Sequence, residues 1–146
     1  GALGNMAAAD AALAEPLVRA VAAFDPTLII SSSSSRAIEG AAEKCGLRVA
    51  TTFLADRAYD DDCLLVPRKV DGSVIKAPAA VLRRVRQLLE EGTVTALSGK
   101  VLRVPAHSIL LHGDTPGAVE LARTIRAEIE QLGGRITPIS QLLAAS

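Results

Sequence analysis

Residues 108–134 read SILLHGDTPGAVELARTIRAEIEQLGG, and this stretch decides the class of the fold. An apolar strand, SILL, ends in His112-Gly113-Asp114, and a helix follows. Thr115 is placed to cap that helix, Pro116 suits its first turn, and Gly133-Gly134 lies beyond its end. A strand that turns directly into a helix is half of a βα crossover, so the neighbouring segments should repeat the pattern.

They do. TLII (27–30) reads as a short buried strand, Ser31 to Ser35 as a loop of small residues, and RAIEGAAEKC (36–45) as a helix stopped by Gly46. LRVATTFLA (47–55) is a second strand rich in β-branched residues. The segment ADRAYDDDCLLVPRKVDGSV (55–74) is long, polar and interrupted by Pro67 and Gly72; loops of that length are functional or disordered. Pro78 opens a helix whose apolar stripe is Val81, Leu82, Val85, Leu88 and Leu89, with its arginines on the wet face and Gly92 as its stop. TVTAL (93–97) and KVLRV (100–104) alternate about Ser98-Gly99 and predict a hairpin. Before all of these, Asp10 caps AALAEPLVRAVAAF (11–24), where Pro16 permits a start at Ala11 or near Glu15. RITPI (135–139) and SQLLAA (140–145) predict a last strand and a short helix. The alternation predicts one α/β domain over residues 1–146, built on parallel strands.

Composition narrows the function. Sixteen Lys and Arg balance sixteen Asp and Glu, and the aromatics are Phe24, Phe53 and Tyr59 alone. That leaves neither a basic footprint nor a stacking platform for nucleic acid. No apolar run reaches the roughly 18–20 residues of a membrane span, and GALGNMAAAD lacks a signal-peptide pattern, so a cytoplasmic protein is expected. Cys45 and Cys63 share no Cys-x-x-Cys or zinc spacing and read as free thiols. The chain starts at Gly1 and has its one methionine at Met6, so the natural start is expected upstream.

In parallel α/β folds, ligand chemistry gathers past the C-terminal ends of strands. Three such ends are polar here: the serine run, Asp56-Arg57-Ala58-Tyr59, and His112-Gly113-Asp114. Gly113 lets the chain turn tightly, so His112 and Asp114 can face one pocket. His112 can act as acid, base or ligand near neutral pH. The same residues read equally well as a buried hydrogen-bonded histidine and a helix-capping aspartate. Asp56, Arg57 and Tyr59 supply a carboxylate, a planar cation for a small carboxylate substrate, and a phenol; the alternative is an ion pair that anchors the long loop. Arg68 is a second cation for the same anion, or simply solvated. His107 reads as a loop residue entering the strand. The serine run lacks the phosphate-loop pattern, and His112 with Asp114 are too few ligands for a metal site.

GALGNMAAAD, ADRAY with the Val-Pro-Arg that follows it, EEGTVTALSGK and HGDTPGAVELAR occur in that order along the chain. In this combination the chain resembles the LamB/YcsF family, which includes the A subunit of ATP-dependent 5-oxoprolinase. The resemblance implies a parallel-strand, barrel-like fold of the TIM or deacetylase type. It implies opening of the lactam of 5-oxo-L-proline to L-glutamate with ATP hydrolysis, in company with separate B and C subunits. Carried over position by position, Asp56, Arg57 and Tyr59 fall on the family's Ala-Asp-Arg-x-Tyr stretch and Arg68 on its Pro-Arg. His112, Gly113 and Asp114 fall on its His-Gly-Asp, and Asn5 on the asparagine of its Gly-Ala-Leu-Tyr-Asn stretch. Catalytic roles are thereby expected for His112, Asp114 and Asp56, and substrate contacts for Arg57, Tyr59, Arg68, Asn5 and Gly113.

Family members are about 250 residues long and begin with polar stretches absent here, Gly4 stands in place of a tyrosine, and Thr52 in place of a common glutamate. The expectation is a barrel incomplete at its N-terminus, and hence a fragment of a longer polypeptide or a self-associating chain. The alternative function is a truncated, non-catalytic interaction or scaffold module. A metal-dependent hydrolase, by similarity to deacetylase barrels, ranks third.

Overall fold

The computed structural model describes residues 2–114 and 117–144. In chain order it contains α1 (Ala2–Ala9), α2 (Ala11–Phe24), β1 (Ile29–Ser32), α3 (Arg36–Cys45), β2 (Arg48–Leu54), α4 (Pro78–Glu91), β3 (Thr93–Thr95), β4 (Val101–Arg103), β5 (Ser108–Leu110), α5 (Ala118–Gln131) and α6 (Ile139–Leu142). The parallel strands form a sheet in the order β1-β2-β5, and β3-β4 is a separate antiparallel hairpin. Among the described residues these strands make an open sheet, α/β in class as the alternation predicts.

The N-terminal helix α1 is the one element without a sequence expectation. It is rich in alanine and weakly amphipathic, and only Ala7 and Ala8 are buried. Ser35 fixes it from afar. Its Oγ donates to the Ala8 carbonyl at 2.7 Å while accepting the Ile38 N–H at 3.3 Å, so one hydroxyl caps α3 and holds the end of α1. Glu39 completes the cap by accepting the Ser35 N–H. The end of the serine run is therefore a fixed cap rather than a flexible loop. Ser35→Ala should cost about 2 kcal/mol in thermal or urea unfolding, because a buried carbonyl and a helix N–H both lose their partner.

Asp10 caps α2 by accepting the Ala12 N–H at 2.8 Å, so the helix starts at Ala11 and runs through Pro16. Pro16 lies on the exposed face, where water can take the carbonyl it leaves free. Helices α1, α2 and α3 share one apolar cluster around Ala14, Val18, Ile38, Ala41, Ala42 and Leu47. A second cluster joins Phe53 and Tyr59 to Val81, Val85 and Leu88 of α4, the hairpin residues Val94 and Leu102, and Ile125 of α5. Arg86 of α4 closes a two-pronged pair on Glu128 of α5 at 2.6 and 2.7 Å.

One expectation is corrected, that of a strand at residues 135–139. The long segment after β2 is ordered by its own backbone pairing: Arg57 bridges Val74, Tyr59 bridges Leu65, and Ile75 N–H donates to the Asp56 carbonyl at 2.9 Å. Residues 135–138 form no strand, and Ile139 instead opens α6; Pro138 breaks the segment, which pairs with no strand among the described residues. Helix α5 begins at Ala118 with Gly117 at its cap, φ 80°. Thr115 and Pro116, expected at its start, lie outside the described residues.

Candidate active site

Strand register builds the site. In β2 and β5, Thr52 faces Ser108, Phe53 faces Ile109 and Leu54 faces Leu110, and Ala55 N–H extends the ladder to the Leu110 carbonyl. Two residues beyond the last pair stand Asp56 and His112, side by side at the C-terminal edge of the sheet. Both Asp56 carboxylate oxygens lie 2.9 Å from His112 Nδ1, and the His112 N–H donates to Oδ2 at 3.2 Å. An ionised carboxylate only accepts, so this geometry puts the ring proton on Nδ1. Nε2 has no partner among the described residues.

The Asp56 side chain is 5% exposed and that of His112 26%. His112 lines a cleft of about 510 Å3 together with Asp56, Arg57, Arg68, Val74, Lys76 and Asp114. A smaller cavity of about 240 Å3 adjoins it, walled by Ile75, Leu82, Leu111 and Leu121. Asp114 is exposed and makes no hydrogen bond among the described residues, so the helix-capping alternative finds no bond to support it there.

Arg57 is almost wholly buried. Its Nε donates to the Ser73 carbonyl at 3.2 Å and its Nη2 to the Val66 carbonyl at 2.6 Å, which clamps the long loop. The loop-anchoring alternative is thus realised, through carbonyls rather than through Asp56. Burial, and then the like charge of Arg68, lower the pKa of the guanidinium from its ordinary value. Arg68 reaches the cleft with no side-chain partner among the described residues.

Tyr59 is fully buried and stacks on Phe53, with ring centroids 5.9 Å apart. Its phenol oxygen accepts the Leu54 N–H at 2.9 Å, and burial raises its pKa to about 12. Tyr59 is not brought to the cleft; it pins the chain back onto the end of β2. Tyr59→Phe should cost about 1–2 kcal/mol of stability, because the Leu54 N–H is orphaned, while leaving the specific activity of the folded protein unchanged. Asn5 lies exposed on α1 and is not among the residues lining the cleft. Gly113 separates His112 from Asp114 and lines neither cavity.

Two residues at the site were given no role by the sequence. Arg84, read as part of the wet face of α4, is turned inward. Its Nη2 donates to the Arg57 carbonyl at 2.8 Å and its Nη1 to the Thr95 carbonyl at 3.1 Å, and its guanidinium lies over the Phe53 and Tyr59 rings. A heptad-like stripe hides such a residue, because a long cationic side chain can cover apolar surface from a flanking position. Lys76 lines both cavities. The one local signal is its place just before Pro78, where a cation meets the positive end of a helix.

Comparison with known proteins gives the arrangement its kin. The LamB/YcsF family matches residues 1–144. The chain belongs to this family. Among LamB/YcsF relatives it is 72% identical over 145 residues to the first 5-oxoprolinase A subunit of Pseudomonas syringae pv. tomato, covering 99% of this chain and 57% of that protein. It is 64% identical over 146 residues to the second 5-oxoprolinase A subunit of Ralstonia nicotianae, covering 100% and 56%. The crystal structure of a lactam utilization protein from Thermus thermophilus superposes with a TM-score of 0.80 at 36% identity, over 93% of this chain and 54% of that one. The LamB/YcsF fold expected from the resemblance is therefore the fold observed, and the chain spans a little over half the length of these relatives. Both cysteines are free, as their spacing predicts. Among the described residues no helix is long and apolar enough to cross a membrane, and no three His, Cys, Asp or Glu side chains gather closely enough to hold a metal ion.

Proposed function

We propose that this chain supplies the Asp56–His112 acid–base pair of a cytoplasmic, ATP-dependent 5-oxoprolinase, acting as its A subunit alongside the B and C subunits. The observation that carries the reading is the histidine held by a carboxylate through Nδ1, with Nε2 unpartnered, in a cleft that also presents Arg68 and Lys76. Names given to similar relatives support the substrate.

Opening 5-oxo-L-proline adds water across the lactam: oxygen bonds to the carbonyl carbon, the carbon–nitrogen bond breaks, and the ring nitrogen gains a proton. His112 Nε2 is suited to take the proton from water and to return it to the departing nitrogen. Asp56 holds the ring in the tautomer that leaves Nε2 basic, and its charge stabilises the imidazolium formed midway. Asp114, which lines the same cleft, is suited to orient the water.

ATP finds less in these residues. The loop after β1 lacks a glycine-rich phosphate cradle, and Arg68 and Lys76 are the unpaired cations of the cleft among the described residues. These residues do not by themselves fit a triphosphate, and none of the steps above runs through the nucleotide.

The test is glutamate release from 5-oxo-L-proline, with and without ATP, by this chain mixed with the B and C subunits, beside a full-length A subunit. Release that depends on His112 supports the reading. No release beside an active control overturns it in favour of a non-catalytic module.

A further inference from the structure

We propose that Lys76 is the residue that recognises the substrate's carboxylate and so determines specificity for an acidic lactam over a neutral one. This rests on the function proposed above and adds to it a residue that the family motifs do not single out.

Among the described residues, Lys76 and Asp56 are the two that line both cavities. On one side of Lys76 lies the polar cleft with His112; on the other lies a wall of Ile75, Leu82, Leu111 and Leu121, with Glu120 and Thr124 also lining that cavity. A ligand with an anionic head and a small hydrocarbon ring matches this boundary: the ring methylenes lie against the apolar wall, and the carboxylate meets the ammonium. The segment is also indexed to the reacting pair, because Ile75 N–H is bonded to the carbonyl of Asp56.

The competing cations are less suited. Arg57 spends Nε and Nη2 on the carbonyls of Ser73 and Val66. Arg68 lines the larger cleft but not the apolar cavity. Of the acidic groups lining the two cavities, Asp56 is engaged by His112 and Glu120 by Arg123, and neither Asp114 nor Lys76 forms an ion pair among the described residues.

Its position also carries a local cost. Lys76 precedes α4, whose cap residue Ala77 makes no side-chain hydrogen bond and whose first turn has no acidic residue. A lysine there faces the positive end of the helix macrodipole with nothing to offset it. Breaking a local rule without a structural return is the pattern expected of a residue kept for binding.

The experiment compares Lys76→Met and Lys76→Arg with the unmodified protein, in the assembled complex for turnover and by calorimetric titration for binding. The ligands are 5-oxo-L-proline and 2-pyrrolidinone, the same ring without the carboxylate. Lys76→Met should raise KM and weaken binding for 5-oxo-L-proline about tenfold, with kcat nearly unchanged and 2-pyrrolidinone affinity unaltered. Lys76→Arg should restore most of the loss. Lys76 is exposed, so neither variant should lower the unfolding midpoint, and Lys76→Met, which removes the charge beside the helix N-terminus, should raise it slightly. An active complex whose KM is indifferent to Lys76→Met overturns the inference and leaves the proposed function standing. Binding without turnover overturns the proposed function, while the variants still decide the inference. Equal loss for both ligands, or no binding of either, overturns the inference.

Discussion

His112→Ala lowers the kcat of lactam opening by about 10²–10⁴, the usual worth of a positioned acid–base group, while the unfolding midpoint moves little. The small structural effect follows from geometry: the ring is partly exposed and its one partner among the described residues is Asp56. Asp56→Asn should produce a comparable fall by a different route. The amide can still accept the His112 N–H through its oxygen, but either its amino group meets the Nδ1 proton or the ring turns to the tautomer that places a proton on Nε2. Both variants are checked by steady-state glutamate release in the assembled complex and by thermal unfolding. A His112→Ala protein that turns over at close to the unmodified rate would remove the pair from the mechanism.

Arg57→Ala should be the most destabilising single change at the site, lowering stability by about 3–5 kcal/mol and the unfolding midpoint by roughly 10 °C. Two buried carbonyls, those of Val66 and Ser73, lose a charge-assisted donor at once. Arg57→Lys separates the clamp from a substrate contact. A point charge cannot reproduce the guanidinium fork across two carbonyls, so most of the stability loss should remain although the charge is kept. If Arg57 instead acted mainly on substrate, Arg57→Lys would raise KM and leave the unfolding midpoint in place.

Much of this protein was legible in local pattern. The α/β class, the hairpin about Gly99, the Asp10 cap and the Gly46 and Gly92 stops depend on propensities and φ preferences that act within a few residues. The two polar strand ends, at Asp56 and at His112, were likewise visible as polar residues following apolar runs.

Pairing was not legible. That Asp56 meets His112, fifty-six positions away, follows from the register of β2 on β5, and register is a property of two strands packed together. Nor could the chain alone separate clamp from site. Arg57, Tyr59 and Arg84 look like surface chemistry in sequence, yet folding turns each inward to satisfy backbone carbonyls and N–H groups that would otherwise be buried unpaired. The sequence by itself determined the elements and the candidate groups, because those are set by neighbours in the chain. Tertiary structure alone decided which groups share a cleft, because that depends on the relative placement of β2, the loop after it and β5.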